Sequence, residues 1–191
     1  MKKLLFAAFA IMISMSSCSS YNNMVTMDEN VSRAWANVET QYQRRADLIP
    51  NLVSTVKGYA AHEQQTLSAV IEARAAATKM TINIEEMTPE KIAAYQQAQG
   101  AVSSALSRLI ALSESYPDLK ANQNFVELQA QLEGTENRIA VAREGFNNAT
   151  ASYNAAIRRF PSNIIAGWFD FESKPYYEAD AAASTAPVVS F

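Results

Sequence analysis

An apolar stripe along the last third of the chain is the feature that most constrains the fold. Apolar or small residues recur between Phe125 and Phe160 at alternating spacings of three and four, without a break. This heptad period is typical of one face of a long helix and predicts a left-handed crossing with its neighbours. The helix should run from about Asn122 to Arg159, about 57 Å at the helical rise, and Pro161 should end it. The stripe consists of Phe125, Leu128, Leu132, Thr135, Ile139, Ala142, Phe146, Ala149, Tyr153, Ala156 and Phe160.

A second helix should precede this one. Thr88 offers an N-cap oxygen, Pro89 suits the first helical position and Glu90 adds an early acid. Apolar positions at helical spacing continue until Pro117, where we expect the helix to end. The short linker to Asn122 then makes the two helices antiparallel neighbours.

The first half of the chain carries a helical phase that a proline interrupts. Thr26–Glu29 has a capping-box pattern, and apolar residues keep the phase as far as Ala77. Pro50 removes one backbone hydrogen bond, so either two helices meet there or one long helix kinks. The phase survives the proline, which favours the kink. The sequence thus predicts an all-α fold, an elongated antiparallel up-and-down bundle of four helical segments, the first two forming one helix if Pro50 only kinks it.

The single cysteine, Cys18, indicates where the chain resides. Lys2 and Lys3 precede an apolar stretch, Leu4–Met15, and small residues follow it, which is the layout of a secretory signal. The stretch covers only about 18 Å, too short for a hydrocarbon core of about 30 Å. We therefore expect cleavage before Cys18 and lipid such as palmitate on its thiol, giving a membrane-anchored lipoprotein at the periplasmic or outer-surface face of the envelope. The predicted divisions are a signal peptide (1–17), a tether (18–25), the bundle (26–178) and a tail (179–191).

Composition excludes several classes of function. Without the two leader lysines the chain has 14 basic and 19 acidic residues, a balance that argues against nucleic acid as a partner. One histidine and one cysteine cannot build a usual zinc site, so we expect no metal and no cofactor. His62–Glu63 lacks the second histidine of a zinc-protease motif, because Thr66 stands in its place. We therefore predict no catalytic residue.

Polar side chains in two places are candidates for a partner-binding or structural cluster. Four surround Pro50, where they either support the kink and its freed carbonyl or recognise a partner. Three flank the apolar stripe, where such residues usually set helix pairing. The seven candidates are Arg44, Arg45, Asp47, Asn51, Glu136, Arg143 and Asn147. Five aromatic residues near the end of the chain should pack back over one end of the bundle; these are Trp168, Phe169, Phe171, Tyr176 and Tyr177.

Several separated blocks of this sequence resemble the LemA family. They include Arg44–Val53, Val56–Tyr59, Tyr116–Asn122 and Leu132–Ala140, and the likeness extends from about Tyr21 to Tyr177. The resemblance implies a membrane-anchored helical protein of the bacterial envelope, a four-helix bundle that counts the segments before and after Pro50 separately, and no established catalytic residue. Many relatives carry a transmembrane helix where this chain has a short leader and Cys18. The resemblance also suggests envelope maintenance, with membrane proteases among the possible partners.

These observations favour a lipid-anchored, non-catalytic interaction or scaffold protein of the cell envelope. Its partners would be the membrane, through lipid on Cys18, and envelope proteins. One alternative is a self-assembling structural protein, given the heptad stripe, which would make a homo-oligomer. The other is an enzyme that uses a polar patch on the bundle.

Overall fold

The fold is entirely helical over the part of the chain that the structure describes. The structure is a computed structural model that describes residues 2–178, with side chains from residue 19 onward. The prediction of an all-α fold is confirmed. The side chains of the predicted signal peptide and of Cys18, and the predicted tail, lie outside the described residues. The helices are α1 (Lys2–Tyr59), α2 (Gln64–Thr78), α3 (Pro89–Leu112), α4 (Pro117–Lys120), α5 (Gln123–Arg158) and α6 (Ser162–Trp168).

The start of α3 and both ends of α5 lie where the sequence places them. Thr88 Oγ1 accepts a hydrogen bond from the Lys91 amide at 3.3 Å, which caps α3. Asn122 Oδ1 accepts from the Phe125 amide at 3.0 Å, which caps α5. Each cap satisfies a backbone donor that the first turn of a helix leaves free. The predicted bounds of α5 are therefore confirmed to within one residue.

Two predicted helix ends are wrong. Thr26 does not begin a helix, because it lies inside α1 and its Oγ1 donates to the Asn22 carbonyl one turn earlier, at 2.8 Å. A capping box needs free amides, and here the preceding turn already uses them. Pro117 does not end α3, which stops at Leu112; it occupies the first turn of α4 instead, a position where its missing amide costs nothing.

Pro50 interrupts the hydrogen bonding of α1 without ending the helix. α1 continues through it to Tyr59, and the chain turns at Ala60–Glu63 before α2. The prediction that the helix continues through Pro50 is therefore confirmed. The prediction that the same helix reaches Ala77 is wrong, because α1 ends at Tyr59. The carbonyl that Pro50 leaves free belongs to Ala46. It accepts a hydrogen bond from Arg74 Nε of α2 at 2.7 Å.

Contacts between helices define their directions. From one end of the pair α1–α5 to the other, Tyr59 contacts Asn122, Arg45 contacts Glu136 and Trp35 contacts Phe146, so the two helices run antiparallel. Along α3, Tyr95 packs on Trp35 and Gln99 bonds Arg45, so α3 runs in the direction of α1. Helix α2 returns along α1 between them, as the contact of Arg74 with Ala46 shows. Among the described residues, no helix is both long enough and apolar enough to cross a membrane.

The apolar core consists of two clusters along the bundle. The first contains Trp35 and Tyr42 of α1 with Tyr95 of α3 and Phe146 of α5. The second contains residues further along α1, from Ile49 onward, with their neighbours on α2, α3 and α5. Arg45 lies on α1 between the last residue of one cluster and the first of the other. Most of the predicted stripe on α5 faces this core, but its last position, Phe160, lies beyond the helix and is 81% exposed.

The hydrogen bond from Arg74 to Ala46 gives a test of how α1 tolerates its proline. Arg74→Ala should lower the free energy of unfolding by about 1–2 kcal/mol, because it leaves the Ala46 carbonyl without a donor. In a Pro50→Ala background the amide at position 50 donates to that carbonyl, so the same substitution should cost much less. Arg44→Ala, on the exposed side of α1, should change stability by less than about 0.5 kcal/mol. Urea titration measures all three, and equal costs for Arg74→Ala in both backgrounds would contradict the assignment.

Candidate functional site

A buried arginine joins three helices at the middle of the bundle. Arg45 is only 1% exposed, although a guanidinium carries a charge at any ordinary pH. Its Nη1 donates to Glu136 Oε1 at 2.8 Å and to Ser103 Oγ at 2.7 Å. Its Nη2 donates to the carbonyl and to Oε1 of Gln99, at 3.0 and 2.8 Å. We call Arg45, Gln99, Ser103 and Glu136 the Arg45 layer.

The geometry of the Arg45 layer explains how the charge is tolerated. A buried charge costs several kcal/mol unless it is paired and hydrogen-bonded. Here one carboxylate and three neutral oxygens surround the guanidinium, while the Glu136 side chain keeps 44% of its surface in water. The Arg45 guanidinium also lies over the ring of Tyr42, with 5.1 Å between its Cζ and the ring centroid. The layer therefore holds α1, α3 and α5 together through bonds that a shifted helix could not make.

A second polar group lies one turn along the bundle and centres on two tyrosines. Arg143 donates from Nε to the Tyr42 hydroxyl at 2.8 Å, and its Nη2 donates to the same oxygen. The hydroxyls of Tyr42 and Tyr177 lie 2.5 Å apart. Arg143 also stacks on the ring of Tyr177, with 4.7 Å between its central carbon and the ring centroid. This contact ties the end of the described chain to α1 and α5.

The segment after α6, residues 171–178, runs back along α5 and is here called the strap. Asn147 bonds both the amide and the carbonyl of Tyr177, each at 2.8 Å. Asn154 does the same further along α5, accepting from the Lys174 amide and donating to the Lys174 carbonyl. Lys174 Nζ lies 2.6 Å from Asp28 Oδ1 of α1. Two asparagines on α5 thus satisfy the backbone of a segment without regular structure.

The structure divides the seven predicted candidates into two sets. Arg45, Glu136, Arg143 and Asn147 take part in the internal network described above. The remaining three are exposed on α1: Arg44, Asp47 and Asn51. Asp47 Oδ1 accepts from Gln43 at 2.7 Å, and the carbonyl freed by Pro50 is bound by Arg74 rather than by any of the three. Their predicted binding role stays a prediction.

Heptad spacing indicates which polar residues are buried, a distinction that the sequence analysis did not make for Arg45, and it also indicates Gln99, which the sequence analysis did not name. Along α1, Arg45 follows Tyr42 by three residues and precedes Ile49 by four, so it occupies a core position of the heptad. Gln99 occupies the matching position on α3, between Tyr95 and Val102. Both were readable from the sequence as polar residues in apolar stripes. Tyr177 was not, since 135 residues separate it from Tyr42.

A groove beside the Arg45 layer opens to solvent between α1, α2 and the chain that follows α2. Its volume is about 760 Å³, and its lining includes Glu39, Arg44, Asp47, Arg74 and Thr81. Burial raises the pKa of Glu39 above its usual value. Within the described part of the chain, no group of three or more His, Cys, Asp or Glu residues is placed to hold a metal. We call this feature the α1–α2 groove.

Comparison with known proteins identifies relatives of this chain. The model of the LemA family matches residues 34–191. Magnetosome protein MamQ 2 of Paramagnetospirillum magneticum is 28% identical over 187 residues, covering 89% of this chain and 68% of that protein. Magnetosome protein MamQ of Magnetospirillum gryphiswaldense is 29% identical with the same coverage. Protein LemA of Metamycoplasma hominis is 22% identical over 158 residues, covering 82% of this chain and 68% of that protein. The resemblance predicted from the sequence is confirmed.

Burial of the strap tyrosine should make the fold sensitive to alkaline pH. Burial raises the pKa of Tyr153 to about 12 and also raises the pKa of Tyr177, whereas an unfolded tyrosine ionises near pH 10. A raised pKa in the folded state means that the stabilisation is complete below about pH 10 and is lost as pH rises further. The free energy of unfolding should therefore fall above about pH 10, by up to about 1.4 kcal/mol per pH unit for each such tyrosine.

Two variants separate the contribution of Tyr177 from that of the rest of the chain. Tyr177→Phe should reduce the alkaline fall without abolishing it, because its own hydroxyl is gone while those of Tyr153 and Tyr95, whose pKa values burial also raises, remain. Tyr176→Phe, at an exposed neighbouring position, should leave the slope unchanged. Urea titrations at several pH values between neutral and alkaline measure the slope, and an unaltered slope in Tyr177→Phe would show that Tyr177 is not held in a buried neutral form.

Proposed function

The chain belongs to the LemA family, and we propose that it is a lipid-anchored, non-catalytic scaffold protein of the cell envelope. In this proposal lipid on Cys18 holds the protein at the membrane. The helical bundle then acts as a rigid spacer that presents a binding surface to other envelope proteins. The relatives named magnetosome proteins are compatible with a place at a membrane.

The observation that carries the proposal is the unbroken course of α1. From residue 19, directly after Cys18, to Tyr59 the chain stays helical, and it does so through Pro50. This length corresponds to roughly 60 Å at the helical rise. The Arg45 layer binds this helix to α3 and α5 near its middle. A helix that is long, braced and continuous with the anchor position suits a spacer better than it suits a mobile tether.

The internal polar network favours a structural role over catalysis. The four hydrogen bonds of Arg45 all end on protein oxygens. The raised pKa of Tyr177, caused mainly by its burial, keeps its hydroxyl neutral at ordinary pH. A general base needs a pKa near the working pH and access to substrate. These side chains instead bind one another and fix the positions of the helices.

The α1–α2 groove is the surface that we propose for a protein partner. Arg44 and Asp47 lie exposed at its edge, on the side of α1 where neither residue supports the freed carbonyl of Ala46. Charged side chains at a rim mainly steer association and select the partner. The groove also adjoins the Arg45 layer, so its walls are held by the most rigidly bonded part of the bundle.

One experiment with two readouts tests both parts of the proposal in cells. Cys18→Ser should abolish labelling by a fatty-acid probe and leave an uncleaved precursor; labelling that survives the substitution would contradict lipid anchoring. In the chain that keeps Cys18, whose thiol is blocked by lipid, Arg44→Cys provides one free thiol for a photo-crosslinker. Crosslinks to envelope proteins should form from position 44 and not from Val141→Cys, a control on the exposed side of α5. Equal crosslinking from both positions would rule out the groove.

A further inference from the structure

Large apolar side chains lie exposed together at one end of the bundle. Around α6, Phe160 is 81% exposed, Trp168 75%, Phe169 57% and Ile164 45%. The opposite side of the same short helix, with Ile165 and Ala166, is buried against the bundle. The expectation that the final aromatic residues all pack over the bundle is therefore wrong for Trp168 and for Tyr176, which is 44% exposed. We call Phe160, Ile164, Trp168 and Phe169 the aromatic end.

The grouping of these residues distinguishes them from the other exposed apolar residues. Val126 and Val141 on α5 and Ile71 on α2 are exposed one at a time along their helices, as is normal for a protein surface. The aromatic end instead places four large side chains within ten residues of chain. Exposed apolar side chains grouped in this way indicate an interaction site.

The aromatic end lies against the part of α1 that directly follows Cys18. Tyr21 of α1 packs on Phe169, with 4.7 Å between ring centroids, and on Phe171 at 5.7 Å. Tyr21 is three residues after Cys18, and the apolar stretch Leu4–Met15 precedes that cysteine in the chain. A membrane attachment at Cys18 or at the preceding apolar stretch would therefore lie beside the aromatic end.

We propose that the aromatic end rests in the surface of the lipid bilayer next to the anchor. This inference builds on the membrane attachment proposed above. Tryptophan and other aromatic side chains favour the level of the lipid headgroups, where the ring meets apolar chains and polar atoms stay wet. The contact fixes the tilt of the bundle and keeps the opposite end, with the turn at Ala60–Glu63, away from the membrane.

Charges around the aromatic end indicate the kind of contact. Arg158 and Arg159 are exposed just before Phe160, and Asp170 and Glu172 are exposed just after Phe169. The two signs balance, so a general attraction to anionic lipid contributes little. Insertion of the rings at the interface is the main interaction, and binding should accordingly depend weakly on salt.

The two tryptophans of the chain allow a direct test with the full-length lipidated protein. Trp35 is 2% exposed in the core, so aqueous iodide reaches Trp168 far more easily. In vesicles of phosphatidylcholine and phosphatidylglycerol, quenching of tryptophan emission by iodide should fall at least about twofold relative to the protein in solution, because an interfacial indole loses contact with water. Brominated phosphatidylcholine in the same vesicles should quench the emission.

Two controls assign the signal to position 168. Trp168→Phe should remove both the iodide-accessible emission and its quenching by brominated lipid. Adding Val141→Trp to that variant places a tryptophan at a position that is 69% exposed and away from the aromatic end. In vesicles, iodide should still quench its emission, and brominated lipid should not.

The outcomes separate this inference from the proposed function. Flotation of the protein with the vesicles reports attachment, whereas quenching reports the position of Trp168. Protein that floats while Trp168 stays open to iodide would overturn the inference and leave the anchor intact. Protein that does not float would overturn both. Shielding of Trp168 from iodide in vesicles without quenching by brominated lipid would mean that something other than the bilayer covers the aromatic end, and it would also overturn the inference.

Discussion

The pairing of the buried Arg45 guanidinium with oxygens from α3 and α5 is the interaction on which the rest of the structure depends. It occupies a core position of the α1 heptad, between two apolar clusters, where an apolar side chain would allow the helices to slide. A polar residue at such a position fixes register at a cost in stability. Three of its acceptors lie on α3 and the fourth on α5, so a shift of either helix would remove hydrogen bonds from a buried charge.

The network extends this constraint from the bundle to its last described segment. Tyr42 links the Arg45 layer to Arg143 and to Tyr177 of the strap. Asn147 and Asn154 then bind the strap backbone along α5. The strap begins three residues after the end of α6, so the aromatic end is held beside the start of α1. In the function proposed above, this connection would join the middle of the bundle to the end that rests on lipid.

The sequence predicted the parts of this fold that depend on local pattern. The stripe on α5 and the caps at Thr88 and Asn122 were readable because periodicity and capping act over a few residues. The turn after Tyr59 was missed, because the apolar residues keep their helical spacing from α1 into α2. Gly58, a poor helix former, is the one residue nearby that signals a helix end. Heptad spacing could have selected Arg45 over its neighbour Arg44. The return of the chain end to the bundle was predicted from its aromatic residues, but the partners of the strap were not. Its hydrogen bonds to side chains of the bundle join residues 20 to 135 positions apart, and no local signal encodes them.

Native-state hydrogen exchange of Arg45→Met tests the central claim most directly. The substitution keeps an unbranched chain in the core but removes the donors. It should lower the global free energy of unfolding by about 1–3 kcal/mol, because the polar groups of Gln99 and Ser103 lose their hydrogen-bond donor, and protection should fall most for the α3 amides around Gln99. Arg44→Met, one residue away and exposed, should leave both quantities unchanged. Unaltered protection of α3 in Arg45→Met, or an equal effect of the two substitutions, would contradict the account.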